Sequence, residues 1–122
     1  MARVLRTTRR LPKETLTFEP FESLDGQGMP DYGTPVEFEG NVLEYDASNA
    51  EQFVVTKDGS RVRTPLTVYV EGDAPDVPNE QDRVTLSEGR TFIVAERKKV
   101  SGLTYSRSEP DHYRLRCRIE QE

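Results

Sequence analysis

Cysteine, histidine and tryptophan are scarce in this chain of 122 residues, which holds one Cys, one His and no Trp. A single cysteine excludes an internal disulfide, and one His with one Cys falls short of the four ligands of a structural zinc site. No apolar run approaches the ~18 residues of a membrane span, and the start of the chain lacks the apolar stretch of a signal peptide. We therefore expect a soluble intracellular protein with no metal site and no membrane partner.

Apolar residues are also few. Hydrophobic residues make up 34% of the chain and charged residues 32%. At this length we expect one domain, whose core is thin for its size. A partner surface can supply the burial that such a monomer lacks.

Charge of one sign is absent from the first segment. The net charge is −5, yet residues 1–13 carry five bases and no acid. Residues 14–60 carry eleven acids and one base, and residues 91–122 are mildly basic. Residues 1–13 thus form a basic N-terminal arm, typical of an interaction tail or of a solvated terminus. Its bases are Arg3, Arg6, Arg9, Arg10 and Lys13.

Period-two alternation of apolar and polar residues recurs, and helical periodicity is hard to find. The pattern predicts strands over residues 14–19, 35–45, 53–57, 61–71, 82–86, 90–97 and 111–120. Three polar segments rich in Gly, Pro or Ser predict long loops over residues 20–34, 72–81 and 98–108. We expect an all-β domain over residues 14–122, either a small β-barrel or a compact sandwich of six to seven strands.

Local signals refine the strand prediction. Asp58-Gly59 predicts a hairpin with a type I′ turn, and Ser87-Glu88-Gly89 predicts a three-residue hairpin loop. A shift of apolar parity beside Gly40 suggests a β-bulge or a corner. Pro65 suggests an edge position or a bend.

The sequence gives little support for a catalytic site. His112 and Cys117 lie five residues apart on one predicted strand, so they point to opposite faces and cannot form a nucleophile–base pair there. Cys117 alternates with apolar residues and is expected in the core, whereas His112 is expected at the surface or rim. The acids of the 72–81 loop lack the ligand spacing of a calcium loop. We expect no enzyme activity and no cofactor.

One row of side chains is informative. Arg114, Arg116 and Arg118 alternate with apolar residues on the last strand, and Glu37 and Glu39 form a shorter acidic row on another. The arginines can pair across strands with those glutamates, contact phosphates, or meet an acidic face of another subunit. Sequence alone leaves these three interpretations open.

Three stretches together resemble a known family. They are residues 72–75 (GDAP), 82–94 (DRVTLSEGRTFIV) and 111–117 (DHYRLRC). Their order, a polar Pro-containing loop, a hairpin and a final strand, is similar to that of head–tail connector proteins of long-tailed bacteriophages, of the head-closure or stopper kind. The resemblance covers residues 66–118.

The resemblance implies a structural β-barrel, located in the virion neck and assembled in the host cytoplasm. Such proteins form a ring between the portal or adaptor and the tail, and they help retain genomic double-stranded DNA that passes through the lumen. The basic arm, the arginine row, Glu37 and Glu39 would then be subunit contacts. Ring symmetry, sixfold or twelvefold, stays open.

Two loops are candidates for a gate in the lumen of such a ring. Residues 20–34 carry the apolar side chains Phe21, Leu24, Met29 and Tyr32. Residues 72–81 carry the acids Asp73, Asp76 and Glu80. The alternatives are a phage tail-completion protein and a single-stranded nucleic-acid-binding barrel of oligonucleotide-binding type. The latter requires a basic, aromatic face, for which Tyr69, Tyr105 and Tyr113 are available.

Overall fold

The computed structural model describes residues 13–44, 53–100 and 112–120, and the backbone of 103–104 and 107–108. Within these ranges the chain forms twelve strands and no helix, so the all-β prediction is confirmed. Consequently, none of the described segments is a helix long and apolar enough to cross a membrane. In chain order the strands are β1 (Lys13–Glu19), β2 (Phe21–Leu24), β3 (Pro30–Tyr32), β4 (Val36–Glu44), β5 (Phe53–Val55), β6 (Arg61–Arg63), β7 (Leu66–Glu71), β8 (Arg83–Thr85), β9 (Thr91–Val100), β10 (Leu103–Thr104), β11 (Arg107–Ser108) and β12 (His112–Ile119).

Six of the strands close into a barrel in the order β1-β4-β7-β12-β9-β8, with β8 returning to β1. Every neighbouring pair is antiparallel. The other six strands form three separate two-stranded sheets, β2–β3, β5–β6 and β10–β11. Of the two architectures that the sequence allows, the barrel is therefore the observed one. Closure gives each of the six strands a hydrogen-bonded neighbour on both sides over at least part of its length.

The barrel interior is filled by alternate residues of the six strands, as the period-two pattern predicts. Phe18 of β1 and Phe38 of β4 meet edge to face, with ring centroids 5.5 Å apart. Cys117 is fully buried in the same cluster, as expected. The core consists of Leu16, Phe18, Phe38, Leu66, Val68, Val70, Val84, Leu86, Phe92, Val94, Leu115 and Cys117.

Gly40 is explained by packing and not by a bulge. The pairing of β4 with β1 runs through Gly40 without a register shift, and the pairing with β7 begins at Asn41, so the predicted bulge is wrong. The corner that the parity shift also suggested stays a prediction. A Cβ at Gly40 would lie 2.8 Å from Cγ1 of Val68 and 3.1 Å from the carbonyl oxygen of Tyr69. Glycine allows β4 and β7 to approach each other at this point.

The barrel does contain a bulge, on β9. Arg116 pairs with Glu96, whereas the next residue, Cys117, pairs with Val94, so Ala95 is the extra residue. A bulge bends its strand and strengthens its twist, which small closed barrels require. Ile119, which the sequence pattern assigned to the core, is 60% exposed at the end of β12.

Three hairpin turns share one hydrogen-bonding pattern. In the β5–β6 turn the N–H of Gly59 donates to the carbonyl of Thr56 at 3.0 Å, and the N–H of Thr56 donates to the carbonyl of Ser60 at 2.9 Å. The same pair of bonds occurs in the turns that contain Gly28 and Gly89. All three glycines have positive φ, between 82° and 107°. The pattern is that of a type I turn followed by a glycine bulge.

The hydrogen bonds and φ angles of these turns test two predictions. The hairpin loop at Ser87-Glu88-Gly89 is confirmed as a three-residue loop. The hairpin at Asp58-Gly59 is confirmed, but the type I′ turn is wrong because Asp58 does not have a positive φ. Gln81 is the single non-glycine residue of the described ranges with a positive φ.

Of the three predicted loops, one agrees with the structure and two contain strands. Residues 72–81 contain no strand, as expected. Residues 20–34 are not a loop throughout, because they hold the β2–β3 hairpin, and residues 98–108 hold the end of β9 and the short β10–β11 pair. The predicted strand 61–71 divides into β6 and β7 at Thr64-Pro65. The edge position suggested for Pro65 is wrong, since β7 pairs with β4 and β12, and the suggested bend stays a prediction.

Replacing Gly40 by alanine is expected to destabilise the barrel. The added methyl group overlaps Val68 and the backbone of Tyr69, and such overpacking costs about 1–3 kcal/mol. Urea unfolding followed by circular dichroism measures the change in the free energy of unfolding.

Gly26→Ala is the matched control for Gly40→Ala. Nothing lies within 4 Å of a Cβ at Gly26, and its φ is not positive. We expect a change of at most a few tenths of a kcal/mol, or a small gain from the stiffer unfolded chain. Equal stability of the two variants would show that β4 and β7 are not in close contact at Gly40.

Candidate functional site

An acidic groove lies on the outer face of the barrel, where β1 and β4 meet the segment that follows β7. Glu37 and Glu39 of β4 are exposed, and they pair with Thr17 and Thr15 of β1. Tyr69 pairs with Asn41, so the end of β7 continues alongside the two glutamates. The groove has a volume of about 420 Å³. It is lined by Lys13, Thr15, Glu37, Phe38, Glu39, Glu71, Asp73, Ala74, Pro75 and Asp76.

The acidic groove unites two predictions that the sequence kept apart. The acidic row of Glu37 and Glu39 and the loop acids Asp73 and Asp76 line the same depression. Glu80, predicted to share a role with the loop acids, lies elsewhere. It faces β9, where its carboxylate accepts a hydrogen bond from the backbone N–H of Arg97 at 3.3 Å.

One cation occupies the edge of the acidic groove. The ammonium of Lys13 forms an ion pair and hydrogen bond with the carboxylate of Glu71. This bond raises the pKa of Lys13 above its ordinary value, and the charges of Glu39 and Asp73 act in the same direction. The field in the groove thus favours positive charge.

The arginine row does not face the acidic row. β7 lies between β12 and β4, so pairing of Arg114, Arg116 and Arg118 with Glu37 and Glu39 is excluded. That interpretation failed because strand order around the barrel depends on contacts between distant parts of the chain. The two rows lie on different parts of the outer wall.

The three arginines have different surroundings. Arg116 lies 3.9 Å from the carboxylate of Glu96, and Arg118 donates to the carbonyl of Ile119 at 3.4 Å. Nε of Arg114 is buried, and no hydrogen-bond partner for it occurs in the described parts of the chain. The row is therefore not a uniform charged face. Arg3, Arg6, Arg9 and Arg10 of the basic arm lie outside the described residues.

The β2–β3 hairpin is fastened to the barrel at its base. The backbone N–H of Phe21 donates to Oδ1 of Asp82 at 2.9 Å. The ring of Tyr32 packs against that of Phe21, with centroids 6.2 Å apart, and the guanidinium of Arg83 lies over the Tyr32 ring at 4.4 Å. Phe21 and Tyr32, predicted as members of a projecting loop, are thus half-buried anchors of the hairpin.

Arg83 joins three elements. Its guanidinium contacts Glu19 at the end of β1 at 2.6 Å and Glu120 beyond β12 at 3.1 Å. These bonds raise the pKa of Arg83, with the Glu19 contact the larger cause. Burial raises the pKa of Tyr32 above its ordinary value. The guanidinium therefore holds the hairpin, β1 and β12 together through charge and ring contacts.

Asp82 is structural and not a member of an acidic surface. Only 5% of the residue is exposed, and its second carboxylate oxygen accepts from the N–H of Asn79 at 2.8 Å. Its backbone also bonds to Asn79 and to Val94. The side chain connects the β2–β3 hairpin to the end of the 72–81 loop.

The tip of the β2–β3 hairpin presents apolar side chains to solvent. Leu24 is 61% exposed and Met29 is 60% exposed. The two residues flank the turn at Gly28, whose backbone is ordered by Oδ1 of Asp25 accepting from the N–H groups of Gln27 and Met29. A fastened base and an ordered turn therefore hold an apolar tip in place.

A basic aromatic patch lies at the other side of the 72–81 loop. The guanidinium of Arg97 lies 4.6 Å from the centre of the Tyr113 ring, and Nζ of Lys99 lies 5.5 Å from it. Arg97 also donates to the carbonyl of Pro78 at 3.4 Å. Sequence reasoning missed this patch because it ended the strand at residue 97. The strand continues to residue 100, which brings Lys99 opposite Tyr113.

The residues with catalytic potential lie apart. Burial raises the pKa of the Cys117 thiol to about 12, so it is neutral near pH 7. The ring of His112 lies against Tyr69, with centroids 5.9 Å apart. Within the described ranges, no group of three or more His, Cys, Asp or Glu side chains is arranged to hold a metal ion.

Asp82→Asn is expected to lower the free energy of unfolding by about 1–3 kcal/mol. The two carboxylate oxygens of Asp82 each accept a hydrogen bond from one backbone N–H, that of Phe21 and that of Asn79. Asparagine has only one acceptor oxygen, so one of these two N–H groups loses its partner. Asp31→Asn is the control, because Asp31 is exposed on the same hairpin. Thermal and urea unfolding of both variants measures the difference, and an unchanged Asp82→Asn variant would contradict the assigned role.

Comparison with known proteins assigns no role to these surfaces. No protein-family model matches the chain. No curated protein matches it either. Function must therefore be inferred from the residues, contacts and charges described above, together with the resemblance of residues 66–118.

Proposed function

We propose that this protein is a structural ring subunit of a bacteriophage neck, of the head-closure or stopper kind. In this role it joins the portal or adaptor to the tail and helps retain packaged DNA. The observation that carries the proposal is the combination of a small closed barrel with separate hairpins and a long polar loop. The resemblance of residues 66–118 to stopper proteins supports the same function.

The resembling segment is a coherent part of the barrel. Residues 66–118 supply β7, β8 and β9 and nearly all of β12. These four strands are consecutive around the barrel, in the order β7-β12-β9-β8. The similarity therefore covers one continuous wall and the 72–81 loop that leaves it, and not scattered fragments.

Closure of the barrel limits how copies can associate. Because each barrel strand has a strand neighbour on both sides over part of its length, little of the barrel wall is open to addition of a strand. Contacts between copies must use the hairpins, the loops and the outer faces. Exposed apolar side chains occur there: Leu24 and Met29 on the β2–β3 hairpin, Val55 on β5 and Ile119 at the end of β12.

The charge of the chain fits a channel through which DNA moves. A net charge of −5 disfavours tight contact with phosphates, so DNA can pass without adhering. The fastened base of the β2–β3 hairpin restricts any gating movement of that element to its tip.

Electron microscopy of negatively stained complexes tests the proposed function. The purified protein is mixed with portal–adaptor complexes of the same phage, and we expect a coaxial ring of added density. A monomer that ignores these complexes contradicts the proposal. Binding to isolated tails instead of portal complexes points to the tail-completion alternative.

The apolar tip provides a graded version of that test. We expect the double variant Leu24→Glu, Met29→Glu to bind portal complexes at least about tenfold more weakly, because burial of each such side chain contributes about 1.5–3 kcal/mol. Gln27→Glu is the control, since it adds charge to the same turn without removing apolar surface. Equal loss in both variants would indicate a purely electrostatic effect.

The basic aromatic patch favours a second candidate function. Tyr113 with Arg97 and Lys99 has the composition of a stacking site for single-stranded nucleic acid. Fluorescence polarisation with a labelled single-stranded oligonucleotide at low salt tests it. Under this alternative we expect micromolar binding that Tyr113→Ala weakens at least about fivefold, from the ~1–3 kcal/mol of one stacked base. Absence of binding at micromolar protein eliminates the alternative.

A further inference from the structure

We infer that the acidic groove binds the basic N-terminal arm of a second copy of this chain. The inference rests on the proposed ring, in which each subunit contacts the next through the same pair of surfaces. It goes beyond that function by naming both sides of one subunit contact.

The acidic groove has an apolar floor and charged walls. Ala74 and Pro75 contribute apolar surface, and the nearly buried Phe38 lies beneath. Five carboxylates and one ammonium line the walls, which leaves a net charge of −4. Carboxylates that line a concave site attract cations more strongly than carboxylates on a flat surface, because the low-dielectric protein around the site concentrates their electric field. The carboxylates are those of Glu37, Glu39, Glu71, Asp73 and Asp76.

The basic arm matches the groove in charge and composition. Residues 1–12 carry four arginines and no acid, which balances the net charge of the groove. Val4 and Leu5 stand between Arg3 and Arg6, so the arm carries apolar as well as charged side chains that could match the apolar and acidic lining of the groove. The planar guanidinium fork suits carboxylates better than a lysine ammonium does.

Lys13 supplies an independent observation. It is the last basic residue of the arm, and its ammonium already lies at the groove edge against Glu71. One base of the arm is thus accommodated by these carboxylates in the folded chain. Further bases can pair with the four remaining acids, Glu37, Glu39, Asp73 and Asp76.

The direction of the chain favours a second copy over the chain's own arm. From Lys13, β1 runs toward Thr15 and Thr17, past the groove glutamates. For residues 1–12 of the same chain to reach those glutamates, the chain would have to reverse its direction before Lys13. Pro12 biases Leu11 toward extended conformations, which opposes an immediate reversal. A neighbouring copy can present its arm from outside without that reversal.

A charge-swap experiment with full-length protein tests the inference. In one variant the charge of the arm is reversed by four substitutions (Arg3→Glu, Arg6→Glu, Arg9→Glu, Arg10→Glu). In the other variant the charge of the groove is reversed by four substitutions (Glu37→Lys, Glu39→Lys, Asp73→Lys, Asp76→Lys). All four groove positions are exposed, so folding is expected to persist, and circular dichroism verifies it. Sedimentation velocity at low salt measures self-association.

We expect each variant alone to associate at least about tenfold more weakly than the wild type. An equimolar mixture of the two should recover association, because an acidic arm then meets a basic groove and a basic arm meets an acidic groove. High salt should weaken association of the wild type and of the mixture alike. Glu22→Lys with Asp31→Lys, two exposed acids outside the groove, is the control for general charge change and should associate normally.

Three results overturn the inference. If each variant alone self-associates as strongly as the wild type does, the arm and the groove are not in contact. Failure of the mixture, with recovery when both reversals are in one chain, shows that the arm binds its own groove. A wild type that stays monomeric at all concentrations tested, alone and with portal complexes, also overturns it, because no second copy then supplies an arm.

The proposed function fails separately from this inference. If the wild type adds a ring to portal complexes and the charge-swap results are negative, the stopper role stands and the arm contact is wrong. If the wild type ignores portal complexes yet the mixture recovers association, the arm contact stands and the stopper role is wrong.

Discussion

The barrel depends on one short seam. β1 pairs with β4 over six residue pairs but with β8 over only three, from Thr17–Thr85 to Glu19–Arg83. Without those three pairs β1 and β8 would both be open edges, and the core between them would be exposed to water. Side-chain contacts add to these three backbone pairs, because Arg83 of β8 contacts Glu19 of β1 and Glu120 beyond β12.

The β2–β3 hairpin belongs to the same construction. Its Phe21 N–H bonds to Asp82, the residue immediately before β8, and its Tyr32 ring lies beneath Arg83. A two-stranded hairpin is only marginally stable in water by itself. Here the hairpin gains stability from the seam and contributes stability to it. The apolar tip is therefore held in a defined position relative to the barrel.

Much of the barrel could be predicted from local pattern. Apolar and polar residues alternate along β12, so Cys117 was placed in the core correctly, and the apolar residues of β7 and β12 that are buried beside it are Leu66, Val68 and Leu115. The β2–β3 hairpin was not foreseen, because its strands are short and are stabilised by Arg83, which lies fifty residues later in the chain. The turn type at Asp58-Gly59 was wrong because the dipeptide also fits a type I turn with a glycine bulge.

The candidate surfaces were predicted only in parts. Individual acids such as Glu37 and Asp73 were recognised, but their union in one groove depends on the pairing of β4 with β7. The same strand order separates the arginine row from those acids. The basic aromatic patch depended on where β9 ends, and charged residues at strand ends give no local signal of that boundary.

The three glycine-bulge turns have a consequence for the order of folding. Each forms between residues four apart, and such hairpins close within microseconds. The β1–β8 seam joins residues almost seventy positions apart, so its loop-closure entropy places it late. We therefore expect the hairpins to form before the two barrel edges meet. In a chain whose seam is slow to close, β1 of a second copy could pair with β8 instead, so exchange of β1 between copies is the form of misassembly to expect.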